Sequence, residues 1–109
     1  MTRDHLGEFE HLVLLAVLRL GDGAYAPAVV EEIEQRTGRA PSAGAVYVTL
    51  DRLETKGLLR SRLSDETPER GGRPRRYVAL TARGLRQLRA SRDALVAMWH
   101  GVEGALDGA

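Results

Sequence analysis

Four arginines, Arg70, Arg73, Arg75 and Arg76, crowd around Gly71, Gly72 and Pro74 with no acidic residue among them. A guanidinium is a flat fork of donors that matches phosphate oxygens and the O6/N7 edge of guanine, so this cluster suits a phosphate-rich partner. The charge distribution extends the signal. Residues 1–34 carry two basic against seven acidic side chains, residues 35–92 carry fourteen against five, and eight arginines from Arg70 to Arg92 face no acid at all. A net charge of +1 over 109 residues hides this segregation. Lys56 is the only lysine. The plain alternative is high arginine usage at a solvated hairpin tip, which composition alone does not separate from phosphate binding.

Other chemistry finds little support. His5, Glu8 and His11 lie within about two helical turns but do not form a recognised zinc spacing, and exposed polar residues on a helix account for them. With no cysteine there is no disulfide framework, thiolate nucleophile or Cys-ligated metal. Gly71-Gly72 lacks the strand, glycine-rich turn, Lys and Ser/Thr order of a nucleotide loop. No carboxylate pair or nucleophile with a base can be assembled from spacing, so an enzyme is disfavoured and neither metal nor cofactor is expected. The longest apolar run, Leu12 to Leu18, is far short of the ~20 residues that span a membrane, and no basic-then-apolar leader opens the chain. The expectation is a soluble cytoplasmic protein of one domain. A chain this short buries only about two thirds of its unfolded surface, which favours association with a second copy.

The elements that must position the arginines read in order. Glu8 to Leu20 is densely apolar without Gly or Pro, as in a helix buried on more than one side, and Gly21-Asp22-Gly23 ends it. Pro27 suits the first turn of a second helix with Val29, Val30 and Ile33 inward, closed by Gly38. Ser42 can cap a third, whose Val46, Leu50 and Leu53 form the buried stripe and whose stop is Gly57. Leu59, Ser61 and Leu63 then alternate with Arg60 and Arg62 as in a strand, and Arg75 to Leu80 returns after a polar, Gly- and Pro-containing tip. Thr81 can cap a last helix in which Leu85, Leu88, Arg92, Leu95, Trp99, Val102 and Leu106 recur at spacings of 3 and 4, a heptad seam. Arg92 interrupts that seam and Gly101 and Gly104 weaken the helix end, so a short interhelical contact is expected.

Three helices, a basic hairpin and a heptad helix describe an α+β, mostly helical winged helix-turn-helix with a two-stranded wing and a C-terminal dimerisation helix. Residues 1–80 would be the DNA-binding part and residues 81–109 the dimerisation helix of one compact unit. In this arrangement the third helix enters the major groove of double-stranded DNA and the wing meets the neighbouring phosphates. At 100° per residue its outward side holds Gly44, Val48, Asp51, Arg52 and Thr55, with Tyr47 on the flank. Ser42 and the N–H groups of Ala43 and Gly44 stand at the positive end of the helix dipole, a ready phosphate site. Arg52 either reads guanine or pairs with Asp51. Arg73 is the stronger phosphate contact beside Arg76, whose strand could turn it along the sheet. Arg83, Arg86 and Arg89 lie off the seam, on a solvated face or in added DNA contact. Trp99 either packs in a homodimer interface or stacks a flat, apolar or aromatic effector, with Leu15, Leu18, Leu95, Met98 and Val102 around it.

The stretch Gly44-Ala45-Val46-Tyr47-Val48-Thr49-Leu50-Asp51-Arg52-Leu53-Glu54-Thr55-Lys56-Gly57-Leu58 resembles the recognition helix of the PadR family of bacterial transcriptional regulators. Glu69-Arg70-Gly71-Gly72-Arg73-Pro74-Arg75-Arg76-Tyr77, then Leu80-Thr81 and Gly84, is similar to that family's wing and entry to its last helix. The resemblance covers nearly the whole chain. It implies a homodimer at an inverted-repeat promoter operator, repressing, released by a small molecule or stress signal, with Tyr47 at the position of the family tyrosine that meets the DNA backbone. Ala24-Tyr25-Ala26-Pro27 departs from the Tyr-Gly of many members, and the single short arm resembles the small subgroup without a second dimerisation domain. The competing class is a winged-helix module that binds a protein and no DNA, since one fold hosts both.

Overall fold

The computed structural model describes residues 5–65, 71 and 73–108. Arg70, one of the four clustered arginines, lies outside the described residues. Among the described residues the order is α1 (Glu8–Leu20), a short 3-10 turn (Gly21–Gly23), α2 (Ala26–Thr37), α3 (Ala43–Thr55), β1 (Leu59–Leu63), β2 (Arg76–Leu80) and α4 (Ala82–Trp99).

Each start and stop follows from local chemistry. The Glu10 carboxylate folds back to accept the Gly7 N–H at 3.0 Å, satisfying a donor at the head of α1. Gly21 (φ +60°) and Gly38 (φ +76°) take left-handed backbone values after α1 and α2 that a Cβ disfavours. Pro27 sits in the first turn of α2, where its missing N–H costs nothing. Ser42 Oγ accepts the Ala45 N–H at 3.0 Å as the cap of α3, and Thr81 Oγ1 accepts the Gly84 N–H at 3.0 Å as the cap of α4.

The core lies where α1, α2 and α3 meet the base of the hairpin. Val13, Leu14 and Val17 of α1, Val29 and Ile33 of α2, and Val46, Leu50 and Leu53 of α3 are buried together with Leu58, Leu59 and Val78. Thr49 joins the expected stripe of α3, and Glu10 is a buried acid at its edge. Strands β1 and β2 pair antiparallel from Leu59↔Leu80 to Leu63↔Arg76. Beyond the last pair Arg75 still bonds Ser64, its O accepting from Ser64 N at 2.8 Å and its N donating to Ser64 Oγ at 2.7 Å. The hairpin is anchored to the helices by Val78 N–H, which donates to Ala24 O at 2.9 Å.

The last helix departs from its heptad expectation. It ends at Trp99, and Gly101 at φ +90° turns the chain away, so Val102 and Leu106 follow the helix in a series of turns instead of continuing its seam. Of the seam residues inside the helix only Leu88 is buried; Leu85, Leu95 and Trp99 are exposed. Arg92 turns to its neighbour Asp93, 2.8 Å away. The helix is tied to α1 near its middle, where His11 Nδ1 and Ser91 Oγ share a hydrogen bond of 2.6 Å. His11, expected to be an exposed residue, is therefore half-buried.

Gly84 is buried because α4 crosses Leu58 with no room between them: a Cβ at this position would fall inside the van der Waals envelope of the Leu58 carbonyl oxygen. The neighbour is backbone and cannot swing aside. Gly84→Ala is therefore expected to cost about 3 kcal/mol or more, as backbone overpacking does. That corresponds to a fall in melting temperature of roughly 10–20 °C for a domain of this size; an unchanged melting curve would contradict the close crossing.

Burial lowers the pKa of His11 below its ordinary 6.5. The unfolded chain then binds the proton more readily than the folded one, so stability drops as pH falls below about 6.5, toward the lowered folded value. Melting temperatures measured from pH 7.5 to 5.5 should decline in the parent and decline less in His11→Gln.

Candidate nucleic-acid interface

The outward side of the N-terminal half of α3 stands clear of the core, while Val46 and Thr49 on its inner side are buried. Ser42, Ala43 and Gly44 are exposed at its head. Because Ser42 takes the Ala45 N–H, the remaining first-turn N–H groups, those of Ala43 and Gly44, mark the positive end of the helix. One turn further, Tyr47 and Val48 are 48% and 57% exposed, so the outward side calculated from the helical period is open in the fold. Arg52 is exposed too, but on the flank that faces α1, where its charge reaches Glu10.

Glu10 is the anchor of that flank. Burial pushes its carboxyl up, but the Gly7 N–H, the Lys56 ammonium at 2.9 Å and the charge of Arg52 more than offset this and hold it below the usual carboxylate value. The C-terminal turn of α3 is thereby fastened to the start of α1.

The opposite flank of α3 meets the wing. Arg76 leaves β2 and bridges two carboxylates of α3: Nη1 donates to Asp51 Oδ1 at 2.9 Å and Nη2 to Glu54 Oε1 at 2.6 Å. Ser61 of β1 donates to the same Glu54 carboxylate at 2.9 Å. The Arg76 and Ser61 bonds hold the Glu54 carboxyl below its usual value. Asp51 therefore pairs with Arg76 and not with Arg52, and Arg76 is turned along the sheet into the protein.

Two tyrosines that spacing did not single out as site residues organise the remaining cations. The Arg75 guanidinium lies over the Tyr25 ring, 4.2 Å from its centroid, and its Nη1 donates to Tyr77 Oη at 3.4 Å. Arg62 lies over the Tyr77 ring at 4.6 Å, and the two rings tilt against each other at 5.8 Å. Such contacts are worth about 0.5–1 kcal/mol each at exposed sites and orient the guanidinium planes. Arg62 and Tyr77 are cross-strand partners, so the hairpin register could have revealed that pair; Tyr25 arrives from the segment before α2 and only the fold brings it in. Between wing, α2 and α3 lies a cleft of about 380 Å3 lined by Tyr25, Pro27, Tyr47, Leu50, Arg73 and Arg75. Arg73 is exposed at its rim.

The expected effector and dimer residues fall on a separate face. Leu15 of α1 packs half-buried against the core, while Leu18, Leu95, Met98, Trp99 and Val102 are exposed. Among the described residues no cluster of three or more His, Asp or Glu side chains could hold a metal ion, and no helix is long and apolar enough to cross a membrane.

Three helices with a hairpin beside the third, followed by a long terminal helix, define a winged helix-turn-helix protein. The chain matches the model of the transcriptional regulator PadR-like family over residues 14–90 and belongs to that family. It is 32% identical to a PadR family transcriptional regulator from Eggerthella lenta DSM 2243, the alignment covering 91% of this chain and 86% of that one with a TM-score of 0.70. A PadR family transcription regulator from Clostridium difficile R20291 shares the fold at 21% identity, covering 92% and 96% of the two chains with a TM-score of 0.66. A protein from Thermoplasma acidophilum shares it at 18% identity, with coverage of 93% and 97% and a TM-score of 0.71. No curated protein matches the chain. The protein is thus a transcriptional regulator and not an enzyme.

Proposed function

We propose that the protein is a PadR-like repressor that binds double-stranded DNA as a homodimer at an inverted-repeat promoter operator. The observation that carries this reading is the open outward side of the first turns of α3, with Gly44, Tyr47 and Val48 exposed beside the wing. Small residues let the helix sink into a major groove, and the N–H groups of Ala43 and Gly44 with the Ser42 hydroxyl meet a phosphate at its edge. Tyr47, Arg73 and Arg75 face the adjoining backbone across the cleft, and Arg52 covers the far flank.

A second copy supplies the symmetry an inverted repeat requires. Support comes from the arm: Leu95, Met98 and Trp99 are 53%, 80% and 45% exposed along α4, and Leu18 of α1 is exposed as well. The chain is also more extended than a compact domain of its length, with a radius of gyration of 16.0 Å against roughly 13 Å expected. Pairing through α4 and α1 covers these side chains and sets the two recognition helices about one DNA turn, ~34 Å, apart. A small apolar or aromatic effector seated among Leu15, Leu18, Leu95, Met98, Trp99 and Val102 would act through its different affinities for dimers of different spacing.

Two measurements test the reading. Fluorescence anisotropy against the promoter of the protein's own gene and a shuffled duplex, over a range of salt, should give tight promoter binding that keeps its margin as salt rises. Arg73→Gln should weaken both duplexes about equally and lower the salt slope by about 0.9, the value of one phosphate contact. Equal, weak binding to both duplexes that vanishes at physiological salt would instead favour a protein-binding module. Sedimentation equilibrium should give a dimer for the parent chain and a monomer for Trp99→Asp; a monomeric parent would overturn the symmetric mode.

A further inference from the structure

Asp51 is out of place in a surface meant to meet phosphates. It shares the outward side of α3 with Gly44 and Val48, and its side chain is 70% exposed. A carboxylate there repels a polyanion unless it is neutralised and also has a donor to bind. The fold offsets part of that charge. Arg76 holds Oδ1 from a strand, its other arm is fixed on Glu54, and Glu54 is steadied by Ser61. This fixes the side-chain rotamer of Asp51 and, among the described residues, leaves Oδ2 as an acceptor with no hydrogen-bond donor on it.

We infer that Asp51 is a base-reading residue that selects cytosine, with Arg76 as its positioning residue. The inference rests on α3 entering the major groove as proposed above. In that groove only cytosine N4 and adenine N6 offer amino donors, whereas guanine O6 and N7 and thymine O4 are acceptors that repel a carboxylate. Adenine places the N7 acceptor beside its amino group and so opposes the second carboxylate oxygen; cytosine does not. Asp51 therefore accepts from cytosine N4 and rejects the other bases by repulsion, a specificity built partly on what it excludes. Arg76 contributes by offsetting part of the negative charge it shares between Asp51 and Glu54 and by fixing the direction of Asp51, not by touching a phosphate.

The test is selection of binding duplexes from a random-sequence pool with the parent chain, Asp51→Ala, Asp51→Asn, Arg76→Gln and Arg73→Gln, each first checked for an intact melting transition. The parent should enrich an inverted repeat with cytosine at one position of each half-site. Asp51→Ala should lose roughly tenfold of the preference at that position alone. Asp51→Asn should move the preference there toward adenine, whose N6/N7 edge matches an amide. Arg76→Gln should relax the same position, a readout that loss of a phosphate contact would not move, while Arg73→Gln keeps every position and lowers affinity throughout. An Asp51→Ala motif identical to the parent's would overturn the assignment and leave the regulator reading standing. A parent chain that enriches no motif would overturn both.

Discussion

Four elements meet at the backbone of Gly57 and Leu58, and the geometry of the whole chain depends on how closely they do so. The Leu58 N–H closes the end of α3 on Leu53 O at 2.9 Å, and the Leu58 carbonyl accepts the Thr81 N–H at 3.1 Å. The Thr81 hydroxyl donates to the Gly57 carbonyl at 2.7 Å while capping α4. Gly84 then brings α4 across the Leu58 carbonyl at a distance no side chain permits. The end of α3, the root of both strands and the start of α4 are thus locked to a few atoms. In a regulator this junction matters because it couples the direction of the arm to the direction of α3: anything that tilts α4 must either move α3 or break these bonds.

The second organising feature is how the fold uses its arginines. Charge along the chain suggests a wing that simply presents cations to solvent. In the structure Arg76 clasps α3, Arg75 stacks on Tyr25, and Arg62 stacks on Tyr77. The guanidinium suits this double use, since its plane stacks on an aromatic ring while its edge remains available for hydrogen bonds. The result is that the described strands of the wing are held in a defined attitude to α3. Strands so braced lose less conformational freedom on meeting a rigid partner than unbraced ones would.

Much of this was legible in the residues. The glycines that end α1 and α2, the Ser42 and Thr81 caps, Pro27 in the first turn of α2 and the Val46, Leu50, Leu53 stripe are local signals, set by backbone sterics and hydrogen bonding within a few positions, and the helices form where they indicate. The Glu8–Leu20 apolar run likewise marks a helix buried on several sides. The heptad reading of the last helix is instructive for the opposite reason. Spacing of apolar residues continues to Leu106, yet the helix ends at Trp99 and Gly101, two residues on, adopts a backbone conformation that keeps it from resuming. Periodicity records which side chains would share a face if a helix formed; glycine's low helix propensity decides that it does not.

What the amino-acid order determined by itself was the succession of elements, the outward side of α3, the segregation of charge and the resemblance of the Gly44–Leu58 and Glu69–Tyr77 stretches, with Leu80-Thr81 and Gly84, to one family. What only the tertiary structure decided was pairing between distant positions. Arg76 is 25 residues from Asp51, His11 is 80 from Ser91, and Arg75 meets a tyrosine from before α2. Local signals report the conformation of a short segment, because sterics and capping act over a few bonds. Whether an arginine faces solvent, a carboxylate or an aromatic ring depends on where chain segments far apart in sequence are brought together. That is settled by packing, and packing exists only once the fold is closed.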